Sequence, residues 1–161
     1  GKALIGFTRH WFSSGMFKQI CRNSDALARK ALGMPASRSF IRPQHICAPM
    51  LKSECEKMCS IVAEDIAASY TRTREGRNYN QYMFTDYLFY QGKALSEKIS
   101  SKHLSVAVSS SSRIRKAIET PSRNLICIND VRLSEKRYEM LRKTVIDAFE
   151  RKFPQKSRFE K

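Results

Sequence analysis

Four polar features carry the residues of this chain that could do chemistry. The first is His45 in RPQHICAP. It precedes an expected helix start, where free backbone amides favour an anion. Its imidazole suits proton transfer near neutral pH, or it simply hydrogen-bonds loop backbone. The second is Arg72, Arg74 and Arg77, leading into NYNQYMF with Asn80 and Gln81. Guanidinium forks bind phosphate in pairs of hydrogen bonds, and the two amides sit where an aromatic helix begins; the alternative is a solvated basic loop. The third is Asn129-Asp130, at the end of the apolar run LICI. A carboxylate at a strand tip can hold a metal or accept a proton, or the pair closes an Asx turn. The fourth is the tail FPQKSRFEK, where Lys156 and Arg158 could meet phosphate or fray as a basic terminus.

The positions between these features predict the elements that hold them. Met16, Ile20, Leu27 and Ala31 fall on helical spacing, so a helix is expected over about 13–32, with Gly33 to stop it. Pro35, Pro43 and Pro49 make the next stretch extended or turn-like. Leu51, Cys55, Met58, Val62 and Ile66 predict one helix over about 49–69, which Pro49 would open. After a loop marked by Gly76, a third helix, rich in tyrosine and phenylalanine, is expected over about 78–91 and ended by Gly92. A short strand at about 103–108, a short helix before Pro121, a strand at 124–129 and a helix at 134–153 complete the reading. The fold class is therefore α-rich α/β (or α+β), with several helices and one or two short strands. A strand such as LICI cannot satisfy its backbone alone. With one other good candidate in view, neighbouring strands from outside these residues are expected.

At 161 residues the chain is long enough for one ordinary core, so a single domain or a fragment of one is expected. The longest apolar runs fall far short of the roughly 20 residues of a membrane-spanning helix. GKALIGFTRHWF lacks the continuous apolar centre and cleavage site of a secretion signal. Cys21, Cys47, Cys55, Cys59 and Cys127 have no disulfide-framework or zinc spacing, which reads as free thiols in a reducing cytoplasm. Against 15 Asp and Glu stand 30 Lys and Arg, a formal charge of +15. Such a balance predicts an anionic partner: a phosphorylated small molecule, an acidic membrane surface or nucleic acid. For nucleic acid, charge is the sole support; no RNA-binding aromatic signature or recognition-helix pattern accompanies it.

In order and spacing the four features resemble the C-terminal half of the Stealth family of hexose-1-phosphate transferases, which includes bacterial capsular-polysaccharide enzymes. PQHICAPMLKSECEKM followed by TREGRNYNQYMFTDYLFYQG looks like the family's third conserved region, and LICINDVRLSEKRYEMLRKTVIDAFERKFPQKSRFEK like its fourth. The resemblance divides the chain into a helical lead-in (1–39), a third-region segment (40–100), a variable linker (101–122) and a fourth-region segment (123–161). Asn78 departs from it, since the family usually has Asp there. The family's first and second regions have no counterpart here.

The resemblance implies the C-terminal part of a Rossmann-like transferase core. It implies transfer of a sugar-1-phosphate from a nucleotide sugar to a sugar hydroxyl, by an enzyme incomplete as this chain alone, at the cytoplasmic face of the membrane. His45, Arg74 and Asp130 would be catalytic, with Asp130 also placed to hold Mg2+. Arg77, Asn80, Gln81, Asn129 and Lys156 would bind substrate, and the N-terminal half of the same enzyme would be a partner. The competing reading is a noncatalytic basic module, either a truncated Stealth remnant or a nucleic-acid-binding domain.

Overall fold

A computed structural model describes residues 3–44, 48, 50–97 and 99–159. The fold is α-rich mixed α/β: among the described residues there are six helices and six short strands, the strands paired two by two. The chain divides into two compact units, 1–99 and 100–161.

In the first unit, β1 (Ala3–Ile5) pairs in parallel with β4 (Ala94–Ser96), and β2 (Phe7–His10) pairs antiparallel with β3 (Phe40–Pro43). The helix between the latter strands is α1 (Met16–Ala31). Its stop at Gly33 follows expectation. Gly33 takes φ 65°, its N–H donates to Lys30 O, and Met34 N–H donates to Arg29 O at 3.0 Å. This doubly bonded close with a left-handed glycine satisfies carbonyls that the helix end would otherwise orphan. Gly92 ends the aromatic helix α4 (Tyr82–Tyr90) in the same way, at φ 69° with Lys93 N–H on Leu88 O.

The single helix expected over 49–69 is two, α2 (Lys52–Ile61) and α3 (Ala63–Ala68). They break at Val62, whose φ of −118° and ψ of 29° leave helical geometry. The buried Val62 side chain joins Leu27, Ala28, Met58, Met83 and Tyr87 in the core. The stripe is buried at Met58 and Val62, with Ile66 packed against the same core, while Leu51 lies outside the helix and is exposed. The aromatic helix also starts later than position 78, because the residues before Tyr82 spend their polar groups on a loop.

The second unit runs β5 (Ser101–Ser105), α5 (Ser111–Glu119), β6 (Leu125–Asn129), α6 (Glu135–Lys152). Ser110 caps α5 by accepting the Arg113 N–H. The helix is the crossover that two parallel strands require, and β5 is the neighbour that β6 needed. Val106, Ile114, Ile118, Leu141 and Ala148 form the core, with Ile128 packed against it. All five β6 residues stay half-buried, whereas parallel sheets are ordinarily covered on both faces. Among the described residues no second strand flanks β6.

Candidate functional site

A cavity of about 430 Å³ opens beside the start of α1 and is lined by Phe17, Ile20, residues 69–74 and residues 78–81. The loop that forms most of it is tied down at several points. Asn23 Nδ2 on α1 donates to Gly76 O at 2.7 Å. Asn78 lies at the centre of the loop. Its Oδ1 accepts the Glu75 N–H at 2.6 Å, and its Nδ2 donates to Ser69 O at 2.5 Å and to Thr71 Oγ1 at 2.9 Å. The Thr71 hydroxyl gives its proton to Thr73 O at 2.6 Å, which orients it to accept that amide.

Asn80 was expected in the first turn of the aromatic helix; it sits just ahead of it. Its Oδ1 accepts the Tyr82 N–H at 3.0 Å, in place of a cap from Gln81, and its backbone N–H donates to buried Ser24 Oγ at 3.0 Å. Its amide also bonds the Cys21 thiol, which burial pushes up to about 11 despite that bond. Most of Asn80 is thus engaged in joining α4 to α1.

With the loop held, the side chains of Arg72, Arg74 and Gln81 are exposed at the cavity and have no partner among the described residues. Two guanidinium groups and a carboxamide over a wall of hydroxyls from Ser69, Thr71 and Thr73 can receive phosphate oxygens. Exposed Tyr70 and the Phe17 ring supply flat apolar surface. Arg77 does not line the cavity and pairs with Glu75 at 2.8 Å. Of the first-unit residues named from sequence, Arg74, Asn80 and Gln81 are brought together; His45 lies outside the described residues. The alternating Thr-Arg-Thr-Arg was the available sign of the hydroxyl wall. Nothing in the sequence pointed to Phe17, more than fifty residues away.

In the second unit, β6 delivers Asn129 half-buried and Asp130 exposed at its carboxyl end. The Asn129 carbonyl accepts the Val106 N–H at 3.2 Å. Neither side chain accepts a backbone N–H among the described residues, so the pair does not close an Asx turn. Lys156 lies beyond the end of α6 and is exposed. Among the described residues no three potential metal ligands cluster, so Asp130 offers a single carboxylate. No helix among the described residues is long and apolar enough to cross a membrane.

Compared with protein-family models and with curated proteins, the chain matches none.

Proposed function

We propose that this chain supplies the phosphate-binding part of a sugar-1-phosphate transferase of the Stealth kind. The observation that carries the reading is the cavity in which Arg72, Arg74 and Gln81 have no partner among the described residues, on a loop held by Asn78 and Asn23. In the proposed reaction an acceptor-sugar hydroxyl attacks the sugar-bearing phosphorus of a nucleotide sugar. A new P–O bond forms, the diphosphate P–O bond breaks, and the nucleoside monophosphate leaves. His45 takes the hydroxyl proton. Arg74, with Arg72, Asn80 and Gln81, neutralises and orients the diphosphate. In the second unit the resemblance assigns Asn129 and Lys156 to substrate binding, and in the first it assigns Arg77, which pairs with Glu75 and does not line the cavity. At Asp130 of the second unit the resemblance implies Mg2+, whose charge would neutralise a phosphate bound there.

Two measurements test this. Calorimetric titration of the chain with pyrophosphate and a panel of nucleotide sugars should show binding that Arg74→Ala weakens about tenfold or more. No heat with any of them, together with tight RNA or DNA binding of steep salt dependence, points to the nucleic-acid reading instead. In a transfer assay on the enzyme that contains this chain, His45→Ala, Arg74→Ala and Asp130→Ala should each lower the rate roughly a hundredfold or more. Rates within about threefold of wild type for all three would remove the catalytic assignment.

A further inference from the structure

Between β2 and α1 the chain turns through residues 11–15, and the turn points apolar groups outward. Trp11 is 60% exposed, Phe12 83% and Met16, the first residue of α1, 47%. Single exposed apolar residues are ordinary, but three within six positions, two of them large aromatics, form a contiguous feature. Gly15 at φ 81° makes the turn and starts the helix directly behind the tip. The tip is held from beneath: the His10 ring stacks on buried Phe40 at 5.6 Å, and the Arg9 guanidinium donates to Ser39 Oγ at 2.9 Å.

The stretch of chain that carries the tip is basic. Residues 1–50 contain eight Lys and Arg and a single acidic residue, Asp25. Asp25 is buried and bound to Arg29, so it contributes no negative surface. Lys18 and Arg22 follow the tip on α1, one turn apart. Tryptophan and phenylalanine at a turn, within a stretch of chain rich in cations whose one acidic residue, Asp25, is buried, complement the boundary between anionic headgroups and acyl chains.

We propose that Trp11 and Phe12 are a membrane-docking tip that enters the headgroup region of an anionic bilayer, with Lys18 and Arg22 held at the phosphate level. It does not depend on the transferase reading, because neither aromatic lines the arginine cavity.

The chain carries its own reporter, since Trp11 is its only tryptophan. Its emission should shift to the blue, and be quenched by brominated acyl chains, with phosphatidylcholine vesicles containing phosphatidylglycerol but not with phosphatidylcholine alone. Phe12→Ser should weaken vesicle binding about tenfold or more, given the aromatic area it withdraws. Lys18→Glu should weaken it about fivefold or more, and circular dichroism checks that both variants stay folded. Salt-sensitive binding without an emission shift or quenching would overturn the proposal, since it shows adsorption by charge alone. Absence of binding would overturn it too. So would a blue-shifted emission without lipid accompanied by a dimeric mass in light scattering, which makes a second copy the occupant.

Discussion

Asp25 and Asp86 are both buried in the core that α1 and α4 share, yet one is bonded on every side and the other has no partner among the described residues. Asp25 accepts the Tyr90 hydroxyl at 2.6 Å, the Ile41 N–H at 3.1 Å and the Arg29 guanidinium at 2.9 Å. Arg29 also lies over the Tyr90 ring, 4.3 Å from its centre, and donates to the Tyr90 oxygen at 2.7 Å. Neither Asp86 oxygen has such a donor. Burial first, and then the negative charge of Asp25, hold the Asp86 carboxyl well above its usual range.

Asp86 therefore keeps its proton to higher pH in the folded chain than in the unfolded one. The unfolded chain ionises it above about 3.8, its ordinary value. The stability this raised pKa contributes is complete below that pH and is lost as pH rises towards the folded value. The loss runs at up to about 1.4 kcal/mol per pH unit. Asp86→Asn removes the ionisation and keeps the shape. Urea denaturation of both proteins from about pH 5 to 8 should show the variant gaining on wild type as pH rises. Parallel curves would contradict a neutral Asp86.

Asn78 occupies the position where the resemblance implies Asp, and the loop geometry needs the amide. Nδ2 donates to the Ser69 carbonyl and to Thr71 Oγ1, and a carboxylate can donate to neither. Asn78→Asp would set a negative oxygen 2.5 Å from the Ser69 carbonyl oxygen if the loop stayed in place. A loss of about 1–3 kcal/mol is expected, the range for a buried hydrogen bond broken with one partner left behind. Thermal denaturation reads the stability. Hydrogen exchange should show amides 69–78 losing protection first.

The arginines of this loop are expected to separate in function. Arg74 lines the cavity without a partner among the described residues, while Arg77 is paired with Glu75 outside it. Arg74→Ala should weaken pyrophosphate binding by about tenfold or more, the worth of a hydrogen bond to a charged group. Arg77→Ala should change it by less than about threefold, as befits an exposed ion pair. Equal losses in calorimetric titration would mean that net charge attracts the anion and the cavity does not.

What the sequence could disclose depended on how local the cause was. Gly33 and Gly92 marked helix ends correctly because a left-handed close is a property of a few adjacent residues. Arg74, Asn80 and Gln81 could be grouped because one loop carries them. The pairing of Ala3 with Ala94 was invisible: strands of three residues have almost no pattern, and their partners lie ninety positions apart. The break at Val62 was hidden for a different reason. Helical periodicity continued through it, while in the structure the Val62 side chain packs into the core with Leu27 and Tyr87. Asp25 and Asp86 carried no sign of burial, since a charged residue on a helix is ordinarily solvated.

Arg137 holds the base on which the strand tip rests. From the first turn of α6 its Nη2 donates to Val106 O at 2.9 Å and to Ala107 O at 3.0 Å. The Val106 N–H in turn donates to Asn129 O, so one guanidinium links α6, the turn after β5 and the end of β6. Arg137→Ala strips two carbonyls of their donor, which costs about 1–3 kcal/mol. The lower part of that range is expected, because Arg137 Nε is itself buried without a partner and its removal returns some free energy. Lysine can offer its charge to these carbonyls but lacks the rigid fork, so Arg137→Lys should recover only part of the loss. Hydrogen exchange should show the Val106 amide and the β6 amides losing protection while those of α1 and α4 keep theirs. Uniform loss across both units would mean that Arg137 stabilises the chain as a whole, and no loss that its hydrogen bonds contribute nothing to the position of Asn129.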